Sequence, residues 1–247
     1  ALAHWRGRVP RNGPEDAPPK GAVIGRPNAG KSSLIKQLVG EERLVVDNRP
    51  GTTRDAVDVT IERQGRSYVF VDTAGVRRKG KVDEKLEKLS VMRALKSLDR
   101  ADLAILVVDS VEGMAEQDAH IAGYAHEKGR PVIILANKWD LVKKKNETKK
   151  ELQRALDLKM AFLDKAPVIT GSARTGLRLD QLFGFIDRIM DQYRFRASTG
   201  EVNRVIEAAV EAHTPPYAGR GRREVDYGTQ VGTQPATVGV FTNKPTE

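Results

Sequence analysis

The 247 residues carry 42 basic and 33 acidic side chains, a net charge of +9, and no cysteine, which excludes disulfides and thiolate metal sites and fits a reducing cytosol. That length holds one large domain, or one domain with a smaller partner, and 39% hydrophobic residues is too many for a disordered chain. No apolar run nears the roughly 18–20 residues that cross a bilayer, and the start, Ala1-Leu2-Ala3-His4-Trp5-Arg6, has no apolar signal core.

Residues 1–19 mix Arg, Pro, Gly and polar side chains without an apolar period and read as a linker or tail. Gly21-Ala22-Val23-Ile24 is a short apolar strand, followed by a loop and then a helix through about Val39. The loop, Gly25-Arg26-Pro27-Asn28-Ala29-Gly30-Lys31-Ser32, fits G-x-x-x-x-G-K-[ST] in the strand–loop–helix setting that this motif needs. Its glycines let the backbone wrap around phosphate, and its N–H groups with the helix N-terminus favour negative charge. Lys31 would reach the outer phosphates, the Ser32 hydroxyl would coordinate Mg²⁺, and Ser33 counts with the nucleotide contacts.

Pro50-Gly51-Thr52-Thr53-Arg54-Asp55 precedes the next strand. A loop there can fold over a nucleotide and place a threonine hydroxyl on Mg²⁺, Thr53 first and Thr52 second, or it is a polar approach to a hairpin. Ala56 to Arg63 and Ser67 to Val71 are strand candidates joined by Gln64-Gly65. The second ends in Asp72-Thr73-Ala74-Gly75. Asp72 can hold the metal through a water, and the Gly75 N–H can meet the terminal phosphate. Taken alone, the pattern also describes a turn.

Val82 to Leu98 has helical spacing, with Leu86, Leu89, Met92 and Leu95 on one side. Ala101 to Asp109 reads as a strand buried on both faces, Ala115 to Lys128 as a helix, and Pro131 to Ala136 as another buried strand. Asn137-Lys138-Trp139-Asp140 follows, the pattern N-K-x-D. A carboxylate at Asp140 can accept from guanine N1–H and its exocyclic amine, a donor pair adenine lacks. Asn137 would contact the base and brace the phosphate loop, and the Lys138 stem would cover the base plane. Glu147 to Met160 is helical and Pro167 to Thr170 a strand. A backbone N–H of Ser172-Ala173-Arg174 would meet the guanine carbonyl, although this short motif also suits a plain strand-to-helix loop. Leu179 to Tyr193 is an amphipathic helix.

Alternating strands and helices imply an α/β fold: a mostly parallel sheet with helices on both faces, and ligands at the carboxyl ends of the strands. Beyond a boundary near residue 195 come a helix, Thr199 to Ala212, a basic turn at Arg220 to Arg223, and two strands, Glu224 to Gln230 and Ala236 to Thr242. Some fifty residues are few for an independent core.

In order, these motifs resemble a translation-factor-type small GTPase. Gly25-Arg26-Pro27-Asn28, Pro50 to Asp55, Asp72-Thr73-Ala74-Gly75-Val76-Arg77-Arg78-Lys79-Gly80 and Asn137-Lys138-Trp139-Asp140-Leu141 resemble the second GTPase domain of the EngA (Der) family of bacterial ribosome-assembly GTPases. Tyr227 to Pro235 resembles the start of that family's KH-like domain. The resemblance implies a P-loop GTPase domain over residues 20–195 and a partial α+β KH-like domain over 196–247. It implies GTP hydrolysis, with Mg²⁺ held by Ser32, Thr53 and Asp72, and with Lys31, Thr53, Gly75 and Asn28 as the catalytic set. It implies K⁺ on Asn28, in place of an arginine finger. GTP or GDP and the large ribosomal subunit or its rRNA are the partners implied. No membrane or DNA partner is expected, and the reading is of a cytoplasmic monomer.

Departures from the family pattern are visible. There is one phosphate loop, so the first of two tandem GTPase domains is expected to be absent, and the chain is expected to stop inside the KH-like unit. The N-terminal segment does not match the family's inter-domain linker, and Ala29 stands where the family usually has valine. Val76 occupies the place where many GTPases orient the attacking water with glutamine. The alternative is therefore a GTP-dependent RNA- or protein-binding module with negligible hydrolysis. A tRNA-modification or membrane-linked GTPase is disfavoured by the R-R-K-G run, N-K-W-D and the tail. Arg77, Arg78, Lys79 and Lys81 either touch rRNA or form a solvated loop, and Lys143-Lys144-Lys145 with Lys149-Lys150 reads as a solvated helix start. No G-x-x-G clamp appears in the tail, which argues against single-stranded RNA binding of the usual KH kind. The four histidines are scattered and suggest no metal or catalytic role.

Overall fold

The computed structural model describes residues 17–41, 43–45, 58–73, 92, 94–213 and 225–243. Thr52, Thr53, Ala74, Gly75, Val76, the Arg77–Lys81 cluster, Arg220 to Arg223 and most of Val82–Leu98 lie outside the described residues. The chain divides into two compact units, Ala17–Met190 and a second that takes up at Asp191.

In the first unit the strands are β1 (Lys20–Ile24), β2 (Arg43–Val45), β3 (Val59–Arg63), β4 (Arg66–Val71), β5 (Leu103–Asp109), β6 (Val132–Asn137) and β7 (Val168–Thr170). They form one seven-stranded sheet in the order β2-β3-β4-β1-β5-β6-β7. β4, β1, β5, β6 and β7 pair in parallel, and β3 is antiparallel to both β4 and β2. The helices are α1 (Lys31–Glu41), α2 (Glu116–Glu127), α3 (Lys145–Lys159) and α4 (Asp180–Tyr193), and residues 94–100 are also helical.

The central strands are apolar throughout because both faces are covered; every residue of β5 and β6 is buried. Alternation then sorts the side chains. Ala104, Leu106, Val108, Ile134 and Ala136 join one cluster with Leu98, Ile121, Leu152 and Leu156 from residues 94–100, α2 and α3. Leu103, Ile105, Ile133 and Leu135 turn to the other face. There α4 sets Phe183 edge-on to Tyr68 of β4, with ring centroids 4.7 Å apart. Each such fully buried Leu, Ile or Phe is worth roughly 1.5–3 kcal/mol over an exposed one.

Some details depart from the sequence reading. Hydrogen bonding starts inside the presumed linker, where the Pro19 carbonyl accepts the Val69 N–H at 2.9 Å. The edge strand β2 was not foreseen, and Trp139–Leu141 form a 3₁₀ turn rather than open loop. Met92, placed on the apolar stripe, is 57% exposed.

The second unit contains α5 (Thr199–Ala212) and the antiparallel pair β8 (Val225–Thr233) and β9 (Ala236–Thr242). Ser198 caps α5 reciprocally with Glu201: its Oγ accepts the Glu201 N–H at 3.3 Å, and Glu201 Oε2 accepts the Ser198 N–H at 2.8 Å. Gly228 lets β8 lie against α5, since a Cβ there would fall 2.2 Å from Ile206 Cδ1. Gln230 is buried and ties the strand to Ala197 N–H and the Phe195 carbonyl. Among the described residues of this unit Val202 is the buried hydrophobic side chain, while Tyr227, Val231, Val238, Val240 and Phe241 are exposed.

Candidate functional site

The loops that follow β1, β5, β6 and β7, and the tip of β4, all leave the carboxyl edge of the parallel strands. This is the edge at which open α/β sheets bind ligands. The described residues of the nucleotide motifs sit on these loops, at the ends of their strands, or in the first turn of α1.

The phosphate loop bends through positions that few residues tolerate. Gly25, Asn28 and Gly30 have φ of 134°, 64° and 102°. Neither glycine can gain a side chain. A Cβ on Gly25 would lie 2.3 Å from the Val107 carbonyl oxygen, and one on Gly30 would lie 2.1 Å from Asn137 Nδ2. Asn28 is exposed at the crest, as is Ser33, with Ser32 half-buried at the start of α1. Lys31 folds back over the loop, and its Nζ donates to the Gly25 and Arg26 carbonyls at 2.7 and 2.6 Å. Burial lowers the Lys31 ammonium to a pKa of about 8, against the opposing pull of Asp118. Both acceptors are neutral carbonyls, and an incoming anion would favour the charged form of the lysine.

Arg26 takes a direction the motif does not reveal. Its guanidinium leaves the loop and donates to Asp118 Oδ2 at 2.9 Å and to the Gly113 carbonyl at 2.7 Å. It also meets Glu112 at 3.5 Å. Asp118 is wholly buried in the first turn of α2, and its second oxygen has no hydrogen-bond partner.

Asn137, at the end of β6, joins three loops. Its Nδ2 donates to the Ala29 carbonyl at 2.7 Å, and its Oδ1 accepts the Ala173 N–H at 2.7 Å. The residue is 2% exposed, so both bonds are made away from water. Lys138 follows with φ 61° and pairs through Nζ with Asp109 Oδ2. Burial opposes the charge on Asp109, yet Lys138 and the Val111 and Glu112 N–H groups hold its carboxyl below the usual range.

Asp140 stands on the 3₁₀ turn beyond the buried Trp139. The Ser172 hydroxyl and then Arg174 keep its carboxyl below the ordinary carboxylate range. Arg174 Nη2 donates to Asp140 Oδ2 at 2.5 Å. Ser172, fully buried, also accepts the Arg174 and Thr175 N–H groups at 3.2 Å each, which tightens the third loop around Ala173.

Asp72 ends β4 with φ 52°, and its N–H donates to Asp58 Oδ1 at 3.0 Å. Thr73 beside it is buried. The described residues include no group of three His, Asp or Glu that could cage a metal. A Ser32 hydroxyl and an Asp72 carboxylate, after adjacent parallel strands, are a sparse oxygen set. Such a set suits Mg²⁺, which keeps waters and shares its remaining ligands with phosphates. Sequence reasoning passed over Asp58, Asp109 and Asp118. Asp118 has a local signal, an acid in the first turn of a helix, but its partner is 92 positions away.

Residues 20–138 match the family described as 50S ribosome-binding GTPases. Residues 196–247 match the C-terminal KH-domain-like region of EngA bacterial GTPase enzymes. GTPase Der of Caldanaerobacter subterraneus is 45% identical over 240 residues, 96% of this chain and 55% of the relative. GTPase Der of Natranaerobius thermophilus is 47% identical over 225 residues, 91% of this chain and 51% of the relative. Among solved structures, Era in complex with MgGDPNP and nucleotides 1506-1542 of 16S ribosomal RNA aligns with a TM-score of 0.53 and 27% identity. That alignment covers 69% of this chain and 56% of the Era chain. The chain thus spans about half the length of the curated relatives it matches. With a GTPase domain followed by the KH-like region, it belongs to the EngA (Der) family of GTPases.

Proposed function

We propose that this chain binds GTP and GDP with Mg²⁺, hydrolyses GTP, and uses the two nucleotide states to bind and leave the large ribosomal subunit. The observation that carries the reading is the pair of hydrogen bonds that Asn137 makes, donating to the Ala29 carbonyl and accepting from the Ala173 N–H. One side chain thereby fixes a phosphate-binding loop, a base-reading loop and a third loop in a single register.

Residues 25–33 wrap the phosphates, and Lys31 exchanges its two loop carbonyls for phosphate oxygens. Asp140 accepts from the guanine N1–H and amine, the Ala173 region meets the guanine carbonyl, and the Lys138 stem lies along the base. Ser32 and Asp72 hold Mg²⁺, with Thr53 as the switch threonine and Gly75 meeting the terminal phosphate. When bound, Mg²⁺ offsets charge on the transferring phosphoryl group. Val76 cannot orient water, so catalysis rests on positioning and positive charge. Asn28, exposed at the crest of the loop, is the ligand for a K⁺ ion that supplies part of that charge. The net charge of +9 favours a polyanionic partner such as rRNA. The domain bounds of 20–195 and 196–247, a cytoplasmic setting and a monomeric state complete the reading. No described helix is long and apolar enough to cross a membrane.

Calorimetry with GTP, GDP, ATP and XTP tests it, on wild type and Asp140→Asn. Binding of GTP and GDP but not ATP, with a swing toward XTP in the variant, is the expected result. Equal binding of ATP would sink the guanine assignment. Single-turnover hydrolysis that is faster in K⁺ than in Na⁺, with the difference lost in Asn28→Ala, tests the catalytic part. No hydrolysis in either salt would leave a GTP-dependent binding module.

A further inference from the structure

Asp58 and Asp72 lie at the open end of the β3–β4 hairpin, one residue outside each strand. In the chain, Asp58 closes the stretch that begins Pro50-Gly51-Thr52-Thr53, and Asp72 opens the stretch Asp72-Thr73-Ala74-Gly75. The two are joined directly. Asp58 Oδ1 accepts the Asp72 backbone N–H at 3.0 Å. Arg100, at the end of helical residues 94–100, donates to both carboxylate oxygens of Asp58, at 2.5 and 3.3 Å.

This contact answers a local problem. Asp72 sits in the left-handed region at φ 52°, which aspartate tolerates better than most residues but which still benefits from a contact that holds it there. A charge-assisted hydrogen bond to the amide of that residue is such a contact. The acceptor does not wander, because Arg100 grips it from a separate element. Asp58 is half-buried immediately before β3, and nothing in the nucleotide reading uses it.

We infer that Asp58 is a positioning residue for Asp72. Its carboxylate, braced by Arg100, holds the Asp72 backbone in the turn from which the Asp72 side chain serves Mg²⁺. The inference rests on the reading of Asp72 as the metal's carboxylate.

The test is the Mg²⁺ dependence of retention of a fluorescent GDP, a binding readout, measured on the full chain beside thermal unfolding. Asp72→Ala is the reference and shifts the Mg²⁺ half-point furthest. Asp58→Ala shifts it upward by on the order of tenfold, the usual effect of losing a group that orients a metal ligand. Asp58→Asn keeps an oxygen for the Asp72 N–H and recovers most of that loss. Arg100→Ala leaves the acceptor unbraced and gives an intermediate shift. Affinity for GDP in EDTA stays at the wild-type value in the Asp58 and Arg100 variants. A wild-type Mg²⁺ half-point in Asp58→Ala, whatever its unfolding temperature, overturns the inference. An unshifted half-point in Asp72→Ala removes the metal reading of Asp72 itself, a result distinct from failure of Asp58 alone.

Discussion

Arg26 Nε reaches Asp118 Oδ2 at 2.9 Å, and the same oxygen accepts the Ala115 N–H at 3.0 Å. A residue of the phosphate loop is thereby fastened to the start of α2, and its guanidinium is spent on protein. The pair is asymmetric. Asp118 has no exposure, whereas the Arg26 side chain keeps 19%. The carboxylate therefore depends on the arginine more than the arginine on it.

Arg26→Ala should for that reason be among the costlier single changes here. It leaves the wholly buried Asp118 carboxylate with only the Ala115 N–H, and breaking a buried pair costs about 3–5 kcal/mol. Glu112→Ala, at an exposed contact of 3.5 Å, should cost less than about 1 kcal/mol. Urea unfolding of the two variants checks the contrast. Equal, small losses would mean that the Arg26–Asp118 bond does not anchor the loop.

Asn137→Ala should act on nucleotide affinity. It orphans the Ala29 carbonyl and the Ala173 N–H together, each at about 1–3 kcal/mol if water cannot reach it. Part of that loss appears as weaker binding, about 10- to 100-fold at 1.4 kcal/mol per factor of ten. The brace does not involve the terminal phosphate, so GTP and GDP should weaken alike in equilibrium titration. Gly30→Ala should reproduce the defect from the other side, because its Cβ would strike Asn137 Nδ2.

What the sequence conveyed about this edge of the sheet was the order of its loops. Each loop is a short-range signal, an apolar strand running into a polar motif, and the buried strands β5 and β6 are continuous apolar runs that admit few other readings. What it withheld is pairwise and distant. β2 is three residues with no alternation, and what defines it is backbone pairing with β3, where Arg43, Leu44 and Val45 stand opposite Glu62, Ile61 and Thr60. The direction of the Arg26 side chain depends on Asp118, and the turn at Asp72 depends on Asp58 and Arg100. Met92 shows the converse limit, since helical spacing names a face without saying what covers it.

Arg174→Ala should separate stability from function. Its side chain is 72% exposed, so the bond to Asp140 should contribute less than about 1 kcal/mol to folding. Yet the same bond occupies the carboxylate proposed to read guanine. Without it, Asp140 meets the base sooner, and association of fluorescent GDP in stopped flow should quicken several-fold with the unfolding midpoint unchanged. Slower association would instead place the Arg174 guanidinium among the groups that hold the bound base.

Lys31 makes the site sensitive to pH above neutrality. Its folded pKa of about 8 lies below the ordinary lysine value of 10.5, mainly through burial. Between those values the unfolded chain binds more protons than the folded one. The nucleotide-free protein should therefore gain stability as pH rises from 8 toward 10.5, the reverse of a lysine held by a salt bridge. Binding runs the other way. Only the ammonium offsets phosphate charge, and the arriving phosphates restore its pKa, so binding near pH 8 should draw a proton onto Lys31. Calorimetry of GDP binding at about pH 8, in two buffers of different ionisation enthalpy, should register uptake of about half a proton. In Lys31→Arg, whose guanidinium stays charged throughout, that uptake should vanish while binding persists. Uptake of the same size in both proteins would assign the proton to another group and leave Lys31 charged at every pH tested.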